Sequence, residues 1–230
     1  MRNLFSLVLL LFSMRSTGRA QLQTHTMTFH FERPGLRVPR FNLEISEAGR
    51  GLYTGDELPV SVGHPDTPPS PHPFNLQVLR VSHATLEKVF ALTRSLNYFN
   101  VSCASTAKNV ADTGKKTLTY SSSEGVIGSC DYNYTENKDV QTLTDILQGI
   151  AETMDEGRRL DYLHRYDRLG LDAELESFSR EVADGRAIEL QAIAETLSSI
   201  ADDADVMQRV RTRAGALLTL VPAQGLQGPQ

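Results

Sequence analysis

The chain has 230 residues, 40% hydrophobic, with 23 basic and 28 acidic side chains and no tryptophan. That length and apolar content suit one large core or two small ones, and exclude a chain too polar to fold. The net charge of −5 repels phosphate backbones and anionic bilayers, so neither nucleic acid nor an acidic membrane surface is an expected partner.

The first residues read as a secretory signal. Arg2 starts it, residues 4–12 are apolar except for Ser6, and Gly18-Arg19-Ala20 sets small residues where a signal peptidase cuts. Residues 1–20 are therefore expected to be removed. A short membrane anchor is the competing reading, but the apolar run is about half the roughly 20 residues that a span needs. No later run is apolar enough to span either. Gln21 follows the expected cut, so no new N-terminal cysteine is exposed for lipid attachment. Loss of Arg2, Arg15 and Arg19 takes the net charge to −8, with 20 basic residues against 28 acidic. Residues 21–138 carry 11 of each sign. Residues 139–230 carry 9 basic and 17 acidic, so the excess lies in the C-terminal part.

Alternation from Met27 to Phe31, and again through Phe41, Leu43 and Ile45, predicts two half-buried strands. Pro34-Gly35 and Pro39 punctuate between them, and Leu52-Tyr53-Thr54 reads as a short third strand. Residues 59–73 hold six of the ten prolines and read as a stiff surface loop. Residues 75–82 predict a strand with Leu76 and Val78 on one face and Leu79 and Val81 on the other. Ser82 then caps a helix over 83–99, striped by Leu86, Val89, Phe90, Thr93 and Leu96. Residues 116–121 and 125–134 predict a hairpin with a polar turn. Asn137 or Asp139 caps a helix over 139–156 whose stripe is Val140, Leu143, Leu147, Ile150 and Met154.

From Gly157 the pattern becomes wholly helical. Leu160, Leu163 and Tyr166 form one stripe. Asp172 caps a helix through Leu175 and Phe178 that ends at Gly185. Residues 188–200 predict the next helix, and Val206, Val210, Ala214 and Leu217 stripe the last. Residues 222–230 read as a disordered tail.

Several residue sets have a chemical reading beside a plainer one. Two cysteines in an exported chain favour a disulfide, so Cys103 and Cys130 are expected to pair across a loop of about 28 residues, worth roughly 3 kcal/mol. Free thiols or a metal pair are the alternatives. Asp112-Thr113-Gly114 matches the core tripeptide of aspartic proteases, which need two facing aspartates sharing a proton. One copy would require a dimer, and Lys115 and Lys116 depart from the usual following residues. The plainer reading is an Asx turn with Gly114 at positive φ. His64, Asp66 and His72 fall in the proline loop without a ligand spacing, and no metal is expected there. Arg158, Arg159, Asp161, His164, Arg165, Asp167 and Arg168 form a charged cluster. It reads either as a site for an acidic ligand or as a solvated helix face with pairs such as Asp161–Arg165. Asn100-Val101-Ser102 and Asn133-Tyr134-Thr135 are glycosylation sequons that matter only in a eukaryotic secretory pathway. No phosphate loop, nucleophile elbow or nucleotide fingerprint is present.

Tyr53-Thr54-Gly55, the strand–helix at 75–99, residues 109–114, the hairpin and the helix at 139–156 together resemble exported bacterial proteins of unknown function. Their pattern is a Tyr-x-Gly strand, a strand–helix unit, a polar hairpin with one aspartate, and a helix. The resemblance covers about half the chain and implies no activity, cofactor or site residue.

The expectation is an α+β fold: a mainly antiparallel sheet with helices on one face over 21–156, and a helical segment over 157–221 packed on or beside it. The expected function is a non-enzymatic binding or structural protein of the bacterial cell envelope, exported to the periplasm or beyond, with no catalytic residue and no cofactor. The acidic helical segment is the expected partner-facing surface. The alternative is a secreted hydrolase using Asp112.

Overall fold

The computed structural model describes residues 25–59 and 70–222. The signal segment, His64, Asp66 and nearly all of the expected tail lie outside them. Seven strands form one antiparallel sheet: β1 (Thr26–Glu32), β2 (Arg40–Ser46), β3 (Arg50–Glu57), β4 (His72–Pro73), β5 (Gln77–Arg80), β6 (Lys115–Ser122) and β7 (Gly125–Tyr132). The order is β4-β3-β2-β1-β6-β7, with β5 also pairing β3 along its outer edge. The proline loop thus contributes the short β4, which the sequence pattern does not predict. Its Pro73 has no amide to donate, and an edge position tolerates that.

Register assigns the two faces. Met27 pairs Ile45 and Tyr120, and Phe29 pairs Leu43 and Leu118. These side chains are buried with Tyr53, Val89 and Phe90, beneath helices α1 (His83–Ser95) and α2 (Lys138–Tyr166). The opposite face carries Thr28, His30, Asn42, Glu44, Thr117 and Thr119, none of them buried. Helices therefore cover one face, and polar side chains occupy the other, the division that alternating patterns produce in an antiparallel sheet.

Ser82 caps α1 through its hydroxyl, and Asn137 caps α2 by accepting from the Asp139 and Val140 amides. Several expected boundaries differ. Helix α1 stops at Ser95 rather than 99, because residues 97–99 turn left-handed. Gly170, not Asp172, occupies the cap position of α3 (Leu171–Ala183). Asp172 instead binds Arg209 and Arg213. The helix expected over 188–200 is a short 3-10 turn, Leu190–Ile193, followed by α4 (Ala194–Asp202), because Glu189 is left-handed with φ 63°. Helix α5 (Gln208–Leu218) is the last helix among the described residues.

Helix α2 runs 29 residues without a break at Gly157. Its first part, to Met154, joins the core under the sheet. Leu160 and Leu163 join a second core with Leu175, Phe178, Leu197, Ile200 and Val210. Gly157 is a point of close approach rather than a helix end: a Cβ there would overlap the Ile193 side chain. Two turns earlier, a Cβ on Gly149 would lie 3.1 Å from the Arg186 carbonyl oxygen. Between them Thr153 donates its hydroxyl to the Ile188 carbonyl at 2.6 Å, and the Ile188 amide donates to Gly149 at 3.2 Å. Gly149, Thr153 and Gly157 thus make a groove of small residues at four-residue steps, in which the 186–193 segment lies. Helix propensity alone favours Gly157→Ala by about 1 kcal/mol. The contact with Ile193 predicts the reverse: Gly157→Ala lowers the urea midpoint, and the double change with Ile193→Val recovers part of the loss.

Candidate functional site

The sharpest backbone feature follows α1. Asn97, Tyr98 and Phe99 have φ of 49°, 54° and 67°, and none is glycine. Left-handed backbone costs an L-residue roughly 1–2 kcal/mol each, so three in succession need support. Phe99 is fully buried. The Asn100 amide donates to the Asn97 carbonyl at 3.0 Å, and its side chain reaches the Ile127 carbonyl on β7 at 3.3 Å. Gly128 makes room: a Cβ there would run into the Tyr98 carbonyl oxygen. Three residues beyond Asn100, the Cys103 sulfur sits at bonding distance from Cys130 of β7, with the Cα atoms 5.8 Å apart. The turn is therefore fastened to the hairpin on both sides.

This clamp sets the Tyr98 ring 5.0 Å from Tyr120 and leaves its side chain partly exposed. Tyr120 also stacks on His25, with centroids 5.5 Å apart and planes within 8°. The Tyr120 hydroxyl donates to Glu47 Oε1 at 2.9 Å, and His25 Nδ1 lies 3.4 Å from Glu47 Oε2. Burial, reinforced by the Glu47 hydrogen bond and charge, pushes the Tyr120 phenol up to about 12, so it remains a donor at neutral pH. These groups bound a cleft of about 370 Å³, completed by Phe90, Ile127 and Arg94. Arg94 lies in the last turn of α1, where a cation complements the helix dipole. Among the described residues it takes part in no ion pair. The cleft thus combines aromatic walls, an anchored carboxylate and a guanidinium in contact with no carboxylate. Period-2 reading places Tyr120 inward, but nothing local in the sequence marks Asn97-Tyr98-Phe99 as left-handed.

The Asp112-Thr113-Gly114 tripeptide has another role. The exposed Asp112 accepts from the Gly114 amide at 2.9 Å, and Gly114 has φ 92°. That is the Asx turn of the plainer reading. Thr113 binds Asn133 through both its amide and its hydroxyl. Together these residues enclose Lys116, whose Nζ lies 2.9 Å from the Thr113 carbonyl and hydroxyl oxygens and 3.0 Å from the Gly114 and Asn133 carbonyls. The Phe31 and Tyr132 rings flank it at 5.7 and 5.8 Å. Burial brings Lys116 down to about 8, yet a ring of oxygen acceptors suits the ammonium form. Lys116 faces inward with Leu118 and Tyr120 on β6, and that alternation is the signal that marks it.

The charged cluster on α2 divides. Asp161 and Arg165 pair at 2.8 Å on the solvated face. His164 binds Asp203 at 2.8 Å, and that hydrogen bond, with the Asp205 amide, holds Asp203 below the usual carboxylate range. Arg158, by contrast, is largely buried. It pairs with Glu57 at 2.5 Å and Asp155 at 2.8 Å, and its guanidinium carbon lies 3.6 Å from the Phe74 ring centre. Arg37 holds the other Glu57 oxygen at 2.7 Å, and the Tyr53 hydroxyl donates to Asp155 at 2.8 Å. Nearby, Glu156 is buried, with Oε1 lacking a hydrogen-bond partner. Burial, then the charge of Glu174, lifts its carboxyl well above the usual range.

His72 lies exposed in β4, His30 binds Asn42 at 2.8 Å across β1 and β2, and exposed His83 sits 3.5 Å from Glu87. Among the described residues no group of three or more His, Cys, Asp or Glu is arranged to hold a metal ion, and no helix is long and apolar enough to cross a membrane. No protein-family description, curated protein or solved structure matches the chain.

Two measurements test these assignments. Folded Glu156 keeps a proton that the unfolded chain releases near its ordinary value of 4.5. Stability therefore falls as pH rises above that value, until Glu156 ionises in the fold. Glu156→Gln should flatten this decline, with a gain on the order of 2 kcal/mol at pH 9 and little at pH 4, read by urea unfolding across pH. Reduction of the Cys103–Cys130 pair should cost about 3 kcal/mol by the same assay, and an unchanged midpoint in reductant would contradict the clamp.

Proposed function

We propose that this chain is an exported, non-enzymatic binding protein of the bacterial cell envelope, and that the cleft between Tyr98 and His25 is its ligand site. The left-handed run at residues 97–99 carries the reading. Strain of roughly 3 kcal/mol or more concentrates at one place, and its effect is to present a tyrosine to a cleft. Backbone strain of this kind gathers at functional sites. The cysteine pair supports an oxidising compartment, in keeping with the N-terminal signal pattern.

The acidic C-terminal segment supports a partner surface less well. Asp172 pairs with Arg209 and Arg213, Glu174 with Arg159, Glu181 with Arg186, and Asp203 with Arg168. Much of its charge is therefore engaged within the fold. The hydrolase alternative draws no support from Asp112, which is exposed and bonded to its own turn.

A fragment screen by NMR tests the reading. Ring-bearing fragments should shift the Ile127 methyl resonances and the ring protons of Tyr98 and His25. Phe178, buried in the second core, should be unmoved. Hits that cluster elsewhere and leave Ile127 and Tyr98 unchanged would overturn it.

A further inference from the structure

Resting on the assignment of the cleft as the ligand site, we infer that it takes a small monoanionic ring compound, a hydroxylated ring bearing one carboxylate, with the carboxylate on Arg94 and the hydroxyl on Glu47. Three observations select this class. The first is the free guanidinium. His25 already has Glu47 within 3.4 Å, whereas Arg94 has no carboxylate among the described residues. A guanidinium presents a planar fork of donors that fits a carboxylate bidentately.

The second is the state of Glu47. Its Oε1 takes the Tyr120 hydroxyl at 2.9 Å and its Oε2 faces His25, yet its side chain is 44% exposed. A carboxylate oxygen accepts more than one hydrogen bond, so Glu47 has capacity for a ligand hydroxyl. The same negative charge opposes a second anionic group on the ligand, which favours a monoanion.

The third is the wall. Tyr98 and His25, both packed against Tyr120, have partly exposed side chains that line the cleft, and Ile127 adds an apolar edge. Offset ring stacking suits such walls, and about 370 Å³ matches a one-ring ligand at the lower end of binding-cleft volumes. A cationic ligand in an aromatic cage would use the same walls, but Arg94 would repel it.

Calorimetry of the purified protein with three probes tests this class. The probes are 4-hydroxybenzoate, its neutral counterpart 4-hydroxybenzamide, and the cation tyramine. The acid should bind at least tenfold more tightly than the amide, and tyramine more weakly still. Added salt should weaken the acid alone. Arg94→Gln should bring acid and amide to equal affinity, while Arg94→Lys should keep a smaller preference for the acid. Arg94 is exposed, so Arg94→Lys should melt as the parent does and Arg94→Gln only slightly lower, by the loss of its charge at the end of α1. Equal affinity of acid and amide for the parent protein, tighter binding of tyramine, or binding of none of the three would overturn the ligand class. Failure of the underlying site reading looks different: the probes bind, but Tyr98→Leu leaves every affinity unchanged.

Discussion

A buried ionic junction holds the two halves of this fold in one frame. Where α2 passes out from under the sheet, Asp155 takes the Tyr53 hydroxyl and the Arg158 guanidinium, and Arg158 and Arg37 share Glu57. Burial raises the Asp155 carboxyl and the Tyr53 phenol, the cost of placing a carboxylate out of water. Such a cost is offset by close pairing, although Arg158 Nε stays buried without a hydrogen-bond partner. The geometry is therefore demanding, and it fixes α2 in both rotation and axial position relative to β3. A helix held there continues into a second core, and its glycine groove receives the 186–193 segment. Glu189, midway along that segment, turns back to the first core: its carboxylate accepts from the Ser82 amide at 2.6 Å and from the Ser82 and Thr85 hydroxyls. It thus supplies a negative charge to the start of α1, where the helix dipole favours one.

That anchorage at the start of α1 matters for the cleft at its end. Arg94 and Tyr98 leave the last turn of α1 and the turn beyond it, while His25, Tyr120 and Ile127 belong to the sheet or its margin. Their separation is set by how α1 seats on the sheet. The disulfide, the Asn100 bond to β7 and the caged Lys116 all stiffen the hairpin that forms the other wall. The first two act beside Tyr120, whereas Lys116 braces the far end of the hairpin, opposite Tyr132. His83 lies exposed in the first turn of α1, and His72, also exposed, borders the junction of Arg37, Glu57 and Arg158 instead.

The sequence made the sheet legible because each inward face has a strict two-residue period: Met27, Phe29 and Phe31, then Phe41, Leu43 and Ile45. The helical stripes were legible for the same kind of reason. What escaped was set by distant partners. Gly157 reads locally as a break, and only the packing of Ile193 shows why a helix interior needs a glycine there. Arg158 reads as one charge in a solvated run, and its burial depends on Glu57 and Phe74, about a hundred and more than eighty residues away. The left-handed residues 97–99 follow from Gly128 and the Cys103–Cys130 link, not from any turn-forming residue of their own. Asp112 was legible, since an Asx turn is a local event.

An anion site on a net-negative protein requires that Arg94 act locally. The charge distribution permits it. The acid excess lies in residues 139–230, whereas residues 21–138, which supply every cleft residue, are balanced. In the acidic part, Asp172, Glu174, Glu181 and Asp203 are each matched by an arginine. Matched pairs act at a distance as dipoles, and ionic strength near 0.15 M screens exposed charges beyond about 8 Å. The potential felt by a small ligand in the cleft is then governed by Arg94, Glu47 and His25, rather than by the net charge of the chain. Glu47 is partly occupied by Tyr120 and His25, which leaves the guanidinium as the strongest unmet charge in the cleft. A site built this way selects on the sign and position of one charge, with the aromatic walls setting only the size and flatness of what carries it.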